Sequence, residues 1–127
     1  MTMLSTAKPV NYIMTRDRKT SATFYGETLG LTHLYTDHAS AVFDLAGAPL
    51  RITEASDFTP RTHPVLGFEV ADIEATVKEL AAKGVKCTIY EGMGQDALGI
   101  WTSPDGKVKL AFFNDPDGNA LTLSQHQ

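Results

Sequence analysis

The chain has one cysteine, Cys87, so no disulfide can form within it. It has no apolar run approaching the ~20 residues a membrane helix requires. The opening "MTMLSTAKPV" carries one late lysine and no continuous apolar stretch, so neither a spanning segment nor a secretory leader is expected. Basic residues are also scarce and scattered: eleven Lys and Arg face fifteen Asp and Glu, a net charge of −4, with no basic run or stripe. Nucleic acid is therefore not an expected partner. Together these absences predict a cytoplasmic protein without membrane contact. What is present suits one compact domain: 127 residues, 43% of them hydrophobic and 20% charged, can bury a core of ordinary size.

The punctuation of the chain is doubled. Asp17 and Asp72 each follow a short apolar run and open a helical stretch, and the stretches stop at Gly30 and Gly84. Aspartate at an N-cap and glycine just past a C-terminus are paired helix signals. Ile73, Val77, Leu80 and Ala81 fall at helical spacing and predict one apolar stripe, while Phe24, Tyr25 and Leu29 anchor a less regular first helix. Strands are expected at "LTHLYT", "SAVFDLAG" and "APLRITEA" in the first half. In the second they are expected at "VKCTIY", "LGIWTS", "KVKLAFFN" and "ALTLSQ". Sliding the chain by about 55 residues superposes the two halves, which is the mark of an internal repeat. The fold class is thus α+β, with two modules of one strand, one helix and about three strands. Module one spans about 9–56 and module two about 64–125, with the proline-containing "ASDFTPRTHP" as linker over about 56–64. In "VKCTIY", alternation puts Cys87 on the apolar face with Val85 and Ile89, as a buried, inert thiol.

"NDPDGNALTL" (Asn114–Leu123) places acidic residues at alternate positions, as a calcium loop does. An EF-hand loop needs glycine at its sixth position and glutamate at its twelfth, whereas here Gly118 is fourth and His126 twelfth. The residues instead suit a tight turn: Pro116 presets its φ and Gly118 accepts positive φ. "SPDGK" (Ser103–Lys107) has the same chemistry one hairpin earlier.

"FYGETLGL" after the first Asp-capped helix, "DPDGNALTL" near the end and the doubled module together resemble the vicinal oxygen chelate superfamily, which includes glyoxalase I, bleomycin-resistance proteins and extradiol dioxygenases. The resemblance covers about residues 9–125. It implies two βαβββ modules whose strands form a half-closed, barrel-like sheet around a cleft, usually in a homodimer. It also implies, for glyoxalase-like members, a divalent metal held by four side chains drawn from His, Glu and Gln. Those positions carry over onto Val10, Arg51, Val65 and Thr122. Two valines, an arginine and a lone threonine are not a metal set, so no metal and no cofactor are expected. His63 and His126 share strand parity with Val65 and Thr122 and are the candidates for a non-standard metal site, in a dioxygenase- or glyoxalase-like alternative.

If positions 10, 51, 65 and 122 face the cleft, alternation brings Tyr12, Met14, Thr53, Glu69 and Ser124 to the same side. Arg51 with Glu69 is then the expected charged pair. The expected ligand residues are Tyr12, Met14, Arg51, Thr53, Glu69, Trp101 and Thr122. Trp101 can present a flat face to a ligand, although core packing is the commoner use of tryptophan. Gly92, Gly94 and Gly99 predict a supple loop before it. The expected function is binding of a small, partly apolar organic molecule, as in sequestration or resistance proteins. The alternative is a metal-independent lyase or isomerase with Glu69 as general base and Arg51 stabilising an oxyanion.

Overall fold

The computed structural model describes residues 4–127, which form two compact units that meet in sequence between Thr59 and Pro60. In the first unit, β1 (Asn11–Thr15) leads into α1 (Arg18–Thr23), a π-helical turn (Phe24–Thr28), then β2 (Thr32–Thr36), β3 (Ser40–Leu45) and β4 (Ala48–Glu54). The sheet order is β1-β4-β3-β2, with β1 parallel to β4 and the other pairs antiparallel. Asp17 caps α1 as expected: its Oδ1 accepts the backbone N–H groups of Lys19 and Thr20, two donors the first turn cannot satisfy internally. Gly30, at φ 80°, ends the helical stretch in a conformation that glycine adopts without penalty.

α1 packs on β4 and β3. Alternate residues of the strands meet it: Ile13, Leu50, Ile52, Ala41 and Phe43 are buried together with Phe24 and Tyr25. Each large side chain removed from water in this way contributes roughly 2 kcal/mol. The other face of the sheet therefore carries Tyr12, Met14, Arg51 and Thr53.

The second unit repeats the plan with β5 (Leu66–Glu69), α2 (Ile73–Ala82), β6 (Trp101–Thr102), β7 (Val108–Asn114) and β8 (Ala120–His126). Its order is β5-β8-β7-β6, again with one parallel pair, β5 with β8. Asp72 caps α2 through Ala75 N–H. Ile73, Val77 and Leu80 are buried as the stripe predicts, but Ala81 is exposed. Ala81 lies in the last turn of the helix. Among the described residues no helix is long and apolar enough to cross a membrane.

Two expected strands of the second half differ. "VKCTIY" forms no ladder, and "LGIWTS" shrinks to Trp101–Thr102. Thr88 N–H donates to the Phe112 carbonyl of β7, but side chains take other backbone groups a ladder would have used. Gln95 donates through Nε2 to the carbonyls of Thr88 and Gly99 and accepts from Tyr90 N–H, while Asp96 Oδ1 accepts from Leu98 and Ile100 N–H. The glycine-containing loop is thus crossed by hydrogen bonds from Gln95 and Asp96. Cys87, outside any strand, is half-buried; burial raises its thiol pKa, which disfavours the reactive thiolate.

Both turns form as expected, with Gly106 and Gly118 at positive φ. The organiser of the second is Asp115, which the sequence pattern does not single out. Its Oδ1 accepts from Asp117 and Asn119 N–H and its Oδ2 from Asn119 Nδ2.

Candidate functional site

On the helix-free face of the first sheet, the register aligns Tyr12, Arg51, Val42 and Tyr35 across four strands, with Met14, Thr53 and Ser40 in the next row. Tyr12 is 67% exposed and Met14 44%, whereas Val42 and Ser40 are buried. Thr53 is engaged with Ser40, hydroxyl to hydroxyl at 2.9 Å. Arg51 is held at two points: Nη2 lies 2.6 Å from Asp37 Oδ2, and Nη1 donates to the Tyr35 hydroxyl at 3.3 Å. The carboxylate against Arg51 is thus supplied by Asp37, in the same unit.

Asp37 is itself pinned, because its Oδ1 accepts from Ala39 and Ser40 N–H at 3.0 and 2.8 Å. The Arg51 guanidinium, followed by these two backbone donors, holds its carboxyl well below the usual carboxylate range, and the same contact raises Arg51. A depressed folded pKa contributes stability that is complete above the unfolded value near 3.8 and is lost as pH falls toward the folded one. Asp37→Asn, which keeps the shape and removes the charge, is accordingly expected to melt below wild type at neutral pH. The gap should close as acid is added from about pH 4 downward. A gap independent of pH would show that the charge is not what Asp37 contributes.

The corresponding face of the second sheet aligns Glu69, Ser124, Leu110 and Trp101 across its strands, with Gly67, Thr122 and Phe112 in the next row. Tyr90 meets Phe112 edge-on, with ring centroids 5.6 Å apart. Trp101 is half-exposed on this face rather than sealed in a core. Glu69 Oε1 lies 3.5 Å from His126 Nδ1, and both side chains are largely in water. Thr122 stands over Gly67: a Cβ there would lie 2.5 Å from Thr122 Oγ1.

The positions that hold metal in glyoxalase-like relatives do not fit a divalent cation here. Val10 and Val65 offer only alkyl groups, Thr122 one hydroxyl, and Arg51 a cation already committed to Asp37. His63 Nδ1 bonds the Pro64 carbonyl and His126 faces Glu69. Among the described residues no three His, Cys, Asp or Glu side chains converge.

The expected residues of each module thus share one face of their sheet. Sequence reasoning did not name Asp37, Tyr35, Tyr90 or Phe112. For Asp37 there was a local signal: an aspartate two and three residues ahead of "AS" is the pattern of a side chain capping its own turn. Phe112 was reachable by parity with Leu110 on β7.

Comparison with known proteins bears on this arrangement. Among curated proteins, none matches the sequence. Among solved structures, the chain is similar to a glyoxalase family protein from Enterococcus faecalis, with TM-score 0.71, 23% identity and all of both chains covered. It is also similar to a genomically encoded fosfomycin resistance protein from Listeria monocytogenes, with TM-score 0.76, 15% identity and 96% and 94% of the two chains covered. A lactoylglutathione lyase from Agrobacterium tumefaciens gives TM-score 0.71 at 15% identity, over 94% and 93% of the chains. At these identities the likeness is one of fold. The sequence profile of the Glyoxalase/Bleomycin resistance protein/Dioxygenase superfamily matches residues 6–123. With that match spanning nearly the whole chain, and with two βαβββ units beneath it, the protein belongs to the glyoxalase/bleomycin resistance/dioxygenase superfamily.

Proposed function

We propose that this protein binds a small, partly apolar organic molecule on the helix-free side of its sheets and does so without a divalent metal. The observation that carries the reading is accessible apolar surface beside an oriented cation: Tyr12 and Met14 remain 67% and 44% exposed on the sheet face that also presents Arg51, braced by Asp37 and Tyr35. Exposed aromatic and thioether groups next to a fixed polar anchor are the composition of a ligand site. A guanidinium so held can receive a carboxylate or enolate oxygen with little reorganisation. Holding a molecule, as in sequestration or resistance, asks no more of these residues than that. A lyase or isomerase reaction would need a base as well, and Glu69 stands largely in water beside His126.

The test is thermal shift against a panel of small aromatic and carboxylic acids, with elemental analysis of the dialysed protein. Wild type is expected to be stabilised by a member of the panel and to carry no stoichiometric metal. Arg51→Met should lose most of that stabilisation, on the order of a tenfold weaker affinity for a lost charge-assisted contact. Equal stabilisation of the variant would remove Arg51 from the site, and about one zinc, nickel or iron per chain would overturn the metal-free reading.

A further inference from the structure

The helix side of the first sheet holds a concavity. α1 packs chiefly on β4 and β3. Between the helix and β2 runs an open groove of about 590 Å³, within the several-hundred-Å³ range of small-molecule sites. Its floor is Phe43 and Ala41, each 1% exposed. Its helical wall is low because Ala22 and Gly26 stand there; a Cβ on Gly26 would approach Phe43 Cε2 to 3.2 Å.

Two backbone irregularities shape this groove. The π-helical turn carries Gly26 and Glu27 along one wall. On the other wall, β2 is bulged between His33 and Tyr35. In an unbroken strand, residues three apart point to opposite faces. Here His33 pairs with Phe43 and Thr36 with Ala41, so both lie on the helix side, and His33 Nε2 sits 2.8 Å from Thr36 Oγ1. The His33 ring also meets Phe43 edge-on at 5.2 Å. Bulges and π turns of this kind recur where side chains are re-aimed at functional sites.

The charge is also uneven. Arg18, Lys19 and Glu27 line the groove, two positive charges against one negative, and the Asp17 carboxylate just outside the lining interacts with Lys19. Arg18 spends Nη1 on the Asp37 carbonyl at 3.0 Å, which fixes its guanidinium at the groove with other N–H groups to offer.

We propose that this groove is a binding site for a small organic monoanion with a flat apolar body, its carboxylate at Arg18 and Lys19 and its body against Ala22 and Leu31, the apolar lining residues that remain partly exposed. The site lies on the opposite face of the sheet from the ligand surface proposed above and stands or falls independently of it. The experiment follows backbone amides of isotope-labelled protein by NMR while benzoate, or its neutral isostere benzamide, is added at millimolar concentration. Benzoate is expected to move the amides of Lys19–Glu27 and His33–Thr36, and benzamide to move them less. Lys19→Met should weaken benzoate about tenfold, and Ala22→Leu, which fills the groove, should abolish its binding. The proposal is overturned by the absence of benzoate shifts, by shifts confined to Tyr12, Arg51 or Trp101, by benzamide acting equally, or by Lys19→Met binding as wild type does. Because the wild-type shift map and Lys19→Met, at an exposed position, each decide the matter, it stays testable should Ala22→Leu fail to fold.

Discussion

Asp115→Ala is expected to destabilise the second unit by about 3 kcal/mol, because it removes a buried carboxylate that accepts at least three hydrogen bonds from buried donors. Asp115 is 5% exposed, and Asp117 and Asn119, whose donors it receives, are 9% and 3% exposed. No water replaces the lost acceptor at such depth without rearrangement of the turn. The turn sets the pairing of β7 with β8, which runs from Val108 opposite His126 to Asn114 opposite Ala120. Urea unfolding of wild type and variant measures the difference. Asp105 provides a contrast: in the earlier "SPDGK" turn it stands where Asp117 stands in the second, accepts from Ser103 Oγ and Lys107 N–H, and lies in solvent. Asp105→Ala should therefore cost far less. A loss below about 1 kcal/mol for Asp115→Ala, the value of an ordinary exposed hydrogen bond, would show that the turn does not depend on it.

The second large effect is expected at Gly67→Ala. The added methyl would lie 2.5 Å from Thr122 Oγ1, inside any tolerable contact. Overpacking of this kind costs about 2 kcal/mol. The cost should fall mostly on the pairing of β5 with β8, where Gly67 stands opposite Thr122. Adding Thr122→Ala removes the offending oxygen, and the next atoms of residue 122 lie 3.9 Å away. The double variant is then expected to recover most of the lost stability, and the cycle gives a coupling energy of about 1–2 kcal/mol for the pair. If the two substitutions simply add, the close approach of Gly67 to Thr122 is not what excludes a side chain there.

These residues also show how far the sequence carries. The parity of β1, β4, β5 and β8 was legible, because a strand buried on one face must alternate and a slip by one residue would turn its apolar set into water. That Tyr12 shares a face with Arg51, and Glu69 with Ser124, follows from that rule once the family resemblance sets Val10, Arg51, Val65 and Thr122 on one side. The helices were legible through Asp17 and Asp72, whose side chains satisfy donors that every helix leaves open at its start. The two turns were legible through their Pro-Asp-Gly cores.

What the sequence by itself determined is therefore the set of local, periodic features: two repeated βαβββ units, their caps and turns, and the alternation of β1, β4, β5 and β8. Only the tertiary structure decided the partners. Arg51 meets Asp37 across fourteen residues, because the β3–β4 register and the Asp37 turn bring them together. His33 and Thr36 share a face because β2 is bulged. "VKCTIY" forms no ladder although Thr88 N–H reaches the Phe112 carbonyl of β7, and Gln95 takes the Thr88 carbonyl and Tyr90 N–H. Each of these depends on contacts between residues whose spacing carries no period, and a pattern read along the chain registers only what repeats along it.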